Sequence, residues 1–415
     1  MRLGLRKRIV QYIVLILSVL FLCATWTRAE KPAGVSLARF SLPFGMNAGS
    51  AHSRAVAAIT TAGGRVETER DTSGKSFTIV AWAGDDQGLE ILRDVNNLRW
   101  LDLSRTNITD AGLVHLRGLS SLEVLKLHQT RVTDEGLANI AGLTNLIGLT
   151  LHDTKVTAEG LVHLQSLAAL RHLDLSWTRT GDAGLALIGQ LPSIEDLHLM
   201  DAKVTDQGLV HLAKLPRLRS LKLSWNRISD VGLTQINRCV FLEGLWLDDT
   251  EISDAGLGRL RGLRSLQFLS LNNTQVTDQG LPQVVQLPSL TALSLSNLPI
   301  SDEGLVAITT NRNLQRISLD QTDVTDAGVQ QLSSLSELSM LSLVGTQISD
   351  AAVGTIARLP KLATLKISET AVTDSGLRLL QSCRALKELH VRGTEVSDEG
   401  LAAFRQSAPQ VNLEN

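Results

Sequence analysis

Cysteine and aromatic side chains are scarce in this 415-residue chain, and each shortage removes a class of protein. Three cysteines are too few for a disulfide framework. Aromatics at 3% against 43% hydrophobic residues describe a core of Leu, Ile and Val. Excess charge of either sign is missing too, with a formal net charge of −2. The only strongly basic stretch is N-terminal, where Arg2, Arg6, Lys7, Arg8 and Arg28 meet no acidic residue. Without residues 1–29 the balance becomes 35 basic against 42 acidic, or −7. That argues against nucleic acid or an anionic membrane surface as the main partner. Enzyme signatures are absent as well. There is no G-x-S-x-G, no phosphate-cradling glycine loop and no H-E-x-x-H, so the expectation is a protein without catalysis, cofactor or metal.

What the chain has is a unit that repeats. Leu98 to Ser121 is followed by equivalents starting at Leu122, Leu146 and Leu170, in steps of 24 without insertion, up to Pro409. Thirteen copies cover residues 98–409. A fixed period of this size predicts a solenoid, in which each unit buries its apolar face on its neighbours. It also overrides the two or three domains that length alone would suggest.

Numbering the first leucine of each copy as position 1, positions 4 and 6 have strand spacing and face inward, while 3, 5 and 7 face the other way. Position 11 is Val or Ile except at Thr180; position 12 is Thr or Ser except at Gly181; position 13 is Asp except at Ala158. A hydroxyl and a carboxylate just before Leu113-x-x-Leu116-x-x-Leu119 are helix-start chemistry. Gly at position 15, replaced only by Ala352, predicts close approach of neighbouring turns. The twelve aspartates and the position-9 threonines (Thr106, Thr130, Thr154) are therefore read as architecture rather than as metal ligands or catalytic carboxylates. Cys239 and Cys383 take a place filled elsewhere by Leu119, Leu143 and Leu167. Six copies apart, roughly 29 Å at the usual strand spacing, they are too distant to pair.

The pattern L-x-x-L-x-L-x-x-T-x-V/I-T/S-D-x-G-L resembles bacterial leucine-rich repeat proteins of the planctomycete type. Its helical half is similar to repeats of the ribonuclease-inhibitor and F-box-associated groups. The resemblance spans about residues 51–409. It implies a curved α/β solenoid with a parallel sheet on the concave side and short helices on the convex side. Thr replaces the family's Asn at position 9, and no F-box-like segment precedes the repeats.

Residues 1–29 run from a basic start through an apolar stretch, Ile9 to Trp26, to Thr27-Arg28-Ala29. That order is the layout of a secretory signal peptide cut before Glu30, with an uncleaved membrane anchor as the competing reading. Cys23 follows bulky Phe21 and Leu22, which suits a lipoprotein signal poorly. Either main reading puts the repeats outside the cytoplasm: periplasmic, secreted or anchored. Residues 30–50 read as a linker. Residues 51–97 read as an N-terminal capping unit, with a helix from Ala51 to Gly63-Gly64 and a hairpin around Thr72-Ser-Gly-Lys75. Residues 410–415 are a tail.

A binding surface on such a scaffold should show as residues that break the repeat at positions 3, 5, 7 and 8. Trp100, Trp177, Trp225 and Trp246 all lie there, joined by Phe268, His172, His198 and Met200. Asp201, Asp248, Asp249, Asn272 and Asn273 supply polar neighbours, whereas Ser294, Ser296, Ser318 and Ser342 make a bland strip further on. Exposed aromatic side chains are the usual anchors of protein recognition. Trp177 and Trp225, both at position 8 and two copies apart, should stand roughly 10 Å from each other. The alternative is that these indoles merely cover gaps at the strand-to-turn corner. His128 and His152, adjacent at position 7 near Asp153, make an incomplete zinc set. His115, His163 and His211 recur on the helical half too far apart to share an ion, and His390 stands alone in the sequence. The expected function is recognition of a protein or peptide ligand on the concave face. A carbohydrate-binding or a structural, adhesive envelope protein is the alternative.

Overall fold

The computed structural model describes residues 50–415. The expected export segment with Cys23 and Trp26, and the linker up to residue 49, lie outside the described residues. The chain starts with helix α1 (Ala51–Thr61), whose first turn is capped by Ser50 accepting from the Ser53 N–H at 3.1 Å. Strands β1 (Arg65–Arg70) and β2 (Ser76–Ala81) then form an antiparallel hairpin. From β3 (Leu98–Asp102) onward every repeat adds one strand in parallel, giving one sheet of 16 strands in sequence order. Residues 412–414, expected as part of a tail, form the sixteenth strand beside residues 388–390. Short α and 3-10 pieces occupy the other side of each turn.

The reason is visible in any copy. In the second, Leu122, Leu125, Leu127, Val132, Leu137, Ile140 and Leu143 are all at most 1% exposed. Burying each such side chain is worth about 1.5–3 kcal/mol. Because the period is constant, strand stacks on strand in register, Leu125 against Leu101 and Leu149. Cys239 and Cys383 are buried free thiols within the same core.

Successive turns are also stapled, and here the structure corrects the sequence reading. The position-13 aspartate does not simply face its own helix dipole. Asp110 accepts from both the backbone N–H of Thr133 (2.8 Å) and its hydroxyl (2.7 Å), one copy ahead. In several copies the hydroxyl also caps its own helix, as Ser229 does for Val231. The glycine at position 15 makes room for the staple, since a Cβ on Gly136 would fall 2.2 Å from Asp110 Oδ1. Equivalent pairs recur from Asp86–Thr109 to Asp374–Ser397. One joint differs. Copies three and four meet at Ala158 and Gly181, so acceptor and donor are missing together. Gly181 instead takes φ +59° and donates to Ala202 O at 2.8 Å.

Candidate functional site

Position 8 is where each strand turns the corner, and its backbone is left-handed along nearly the whole array. Arg105, Gln129, Asp153, Trp177, Asp201, Trp225, Asp249, Asn273, Asn297, Gln321 and Glu369 all have φ between +47° and +60°. The conformation is fixed by hydrogen bonds to the next turn: Trp177 N–H donates to Met200 O at 2.7 Å, Trp225 N–H to Asp248 O at 2.9 Å. Asp and Asn enter this region cheaply, whereas a bulky side chain pays roughly 1–2 kcal/mol. Two tryptophans nevertheless occupy it. Their ring centroids are 5.6 Å apart at 47°, closer than the spacing of two turns suggests, so the rings lean towards each other. Trp177 is 42% exposed, while Trp225 is half-buried.

Other expected contact residues behave differently. Trp246 and Phe268 are 8% and 4% exposed and pack on each other at 4.7 Å with Ala292. The Trp246 ring folds back over Gly244, whose missing Cβ leaves the space, and Lys222 Nζ sits 5.2 Å above it. These two rings form a small covered cluster on the sheet surface instead of standing out as anchors. Asp248 is buried as well. It accepts from the Ser270 hydroxyl, from Ser224 Oγ at 3.0 Å and from Asn272 N–H at 3.0 Å. Burial raises its pKa. The serine strip continues this network, with Asn272 Oδ1 accepting from Ser294 and Ser296 and Asp320 accepting from Ser342. Side chains facing away from the leucine core are therefore locked to one another across turns. Sequence spacing cannot reveal that, because each partner lies 22 to 24 residues away.

Asp249, next to Asp248, remains half-buried. Burial and its acidic neighbour push its carboxyl up to about 6, opposed by Asn273 and the Trp225 indole N–H. Asn273 donates to it at 3.3 Å. Asp201 pairs with Lys203. Met200 is half-buried and His172 exposed.

His198 lies between two carboxylates, Nδ1 at 3.6 Å from Asp174 and Nε2 at 3.1 Å from Asp196. Burial opposes its charge, but the carboxylates of Asp196 and Asp174 beside it hold its pKa up to about 9. Asp174 and Asp196 are correspondingly held well below the usual range, against their own burial. His172 extends the cluster, 3.7 Å from Asp196. His128 and His152 meet edge to face at 6.4 Å, and His128 Nδ1 is bonded to Ser104 Oγ at 2.7 Å. His390, isolated in the sequence, has company in the fold: Glu388 and Glu414 each lie 2.9 Å from one of its ring nitrogens. Glu388 shares His390's strand face two residues away, whereas Glu414 arrives on the added strand.

The leucine-rich repeat family model matches at residues 96–116, 214–236, 286–308 and 382–404. The fold is that of a leucine-rich repeat solenoid. The fold of this leucine-rich repeat chain is similar to that of an internalin from Listeria monocytogenes. The two share 21% identity and a TM-score of 0.55 over 87% of this chain and 94% of the other. A leucine-rich repeat protein of Leptospira interrogans aligns with 19% identity and a TM-score of 0.47, over 79% of this chain and 92% of that one. No curated protein sequence matches this chain. No helix among the described residues is long and apolar enough to cross a membrane.

Proposed function

We propose that the chain is an exported, non-enzymatic scaffold that binds a protein or peptide partner at the strand-to-turn corner of copies three to seven. Trp177 carries the reading. It is a large, exposed aromatic side chain in a backbone conformation that penalises it, and it contributes nothing to the leucine core. Such expenditure on a surface residue points to recognition. Trp225 packs on it, Asp201 lies between the two along the same row and Asp249 follows Trp225, with Met200 and His172 on the adjoining sheet surface. Trp246 and Phe268 lie covered on the sheet surface of copies seven and eight, and the Asp248 carbonyl holds the Trp225 N–H. Export rests on the basic, apolar, small-residue order of residues 1–29.

The test is partner recovery from the native envelope by the wild type and by a Trp177→Ala, Trp225→Ala double variant. Loss of the partner with an unchanged circular dichroism spectrum supports the corner as the binding surface. Equal recovery by both would remove it. A carbohydrate ligand is the second reading, because two indoles tilted at 5.6 Å also offer faces for sugar rings. Retention of the protein on polysaccharide with no protein captured would favour that reading.

A further inference from the structure

Two residues beyond the corner, at position 10, five consecutive copies carry a cation: Arg131, Lys155, Arg179, Lys203 and Arg227. All five side chains are exposed. The row begins after Asn107 and ends at Glu251. Backbone bonds hold it in register from turn to turn. Arg131 N–H donates to Ile108 O at 2.9 Å and Lys155 N–H to Val132 O at 3.2 Å, while Arg179 and Arg227 form parallel bridges with Thr157 and Thr205. Lys203 pairs with Asp201; among the described residues no ion pair involves the other four. Position 2 shows the contrast. There the charges alternate and neutralise each other across turns, in Arg99–Glu123, Arg171–Glu195 and Arg219–Glu243. Like charges on adjacent strands are destabilising, so five in a row work against the array that holds them.

From this row we infer a docking ladder for an acidic α-helix of a protein partner, laid along the solenoid axis with one carboxylate per helical turn. The inference rests on the protein-partner reading above and names the partner's chemistry. Spacing selects the helix. Four steps of the ladder cover roughly 19 Å at the usual strand separation, and four helical turns cover about 22 Å. Long Arg and Lys side chains absorb the difference. The same face of an extended strand would need roughly 27 Å for five side chains.

Charge selects a polypeptide over a uniform polyanion. Asp153, Asp201 and Asp249 alternate with Trp177 and Trp225 in the neighbouring row, and the Lys203–Asp201 pair shows how close the rows lie. A polyanion covering the cations would meet that acidic row. A helix can turn its carboxylates to the cations and an apolar or basic edge to the indoles and aspartates.

The experiment uses the full-length protein and a fluorescent synthetic helix bearing Glu at i, i+4, i+7, i+11 and i+14 with Leu and Lys on the adjoining edge. A second peptide has the same composition with the Glu residues spread round the helix. Anisotropy titration is expected to show the ladder peptide binding at least about tenfold more tightly than the scrambled one. Its affinity should fall at least about tenfold in an Arg131→Glu, Arg179→Glu, Arg227→Glu variant and weaken with added salt. Reversing the position-2 pair, Arg171→Glu with Glu195→Arg, should change it little. Equal binding of both peptides, indifference to the triple reversal, or displacement by polygalacturonate or oligothymidylate as readily as by unlabelled peptide would each overturn the proposal. Native-partner recovery separates the two readings. If the triple reversal keeps the partner and the tryptophan variant loses it, only the ladder falls. If neither variant loses it, the scaffold reading falls with it.

Discussion

Two tryptophans and a histidine define what single residues contribute. Trp177 sits at φ +58°, where asparagine is far less strained. Trp177→Asn is therefore expected to stabilise the fold by about 0.5–1 kcal/mol while weakening partner binding. Urea unfolding and a pull-down on the same preparation check both. A loss of stability would mean that the indole is a structural cover. His198 gives a pH signature. Its pKa is raised in the fold, so the stability it contributes is present below its ordinary value near 6.5 and is lost as pH rises through about 9. Asp174 and Asp196 are depressed, so theirs is present above the ordinary carboxylate range and lost on acidification. Between them the cluster stabilises most from about pH 4 to 6.5. The denaturation midpoint of the wild type should fall between pH 6.5 and 9.5, and that of His198→Gln should fall distinctly less.

At the scale of strand, corner and helix start, the staples decide. Asp206 accepts from Ser229 N–H at 2.9 Å and from its hydroxyl. Two hydrogen bonds to a carboxylate make Asp206→Ala destabilising by about 2 kcal/mol, measurable by chemical denaturation. The joint lacking its staple should open more easily. Amide hydrogen exchange is expected to be faster across residues 156–182 than across the equivalent joint at 180–206, and equal protection would contradict that. These elements also show what the sequence could and could not disclose. Leu101, Leu103 and Ile108 announce strand and core because their periodicity is local. The helix-start role of the hydroxyl is local and legible, whereas the Asp–Thr staple is not, because its partner lies one period away. The left-handed corner was invisible, since Arg105, Gln129 and Trp177 do not advertise positive φ as glycine would. Trp177 and Trp225 were legible as deviations. The burial of Trp246, Phe268 and Asp248 was not, because it depends on how side chains fold over neighbouring strands. Each position-10 cation is an ordinary exposed residue in its own copy; only the column is unusual.

Along the described residues each strand pairs only with the strands of the neighbouring turns, as expected of an array whose stability is largely a sum of units and interfaces. Removing residues 362–385 brings Asp350 to face Ser397 in place of Thr373, its present partner. The shortened protein is expected to fold with an unchanged type of circular dichroism spectrum and a lower denaturation midpoint. Aggregation or loss of cooperativity would show that the array is not modular there. The same rule has one exception, and it constrains how such a chain can grow or shrink. Most copies turn a hydroxyl at position 12 to the copy before and a carboxylate at position 13 to the copy after, so they can be exchanged freely. The third copy offers Ala158 and the fourth answers with Gly181. Separating them would leave a hydroxyl facing alanine on one side and a carboxylate facing glycine on the other. Those two copies, which carry Asp153 and Trp177, can be inherited, duplicated or grafted only as a pair.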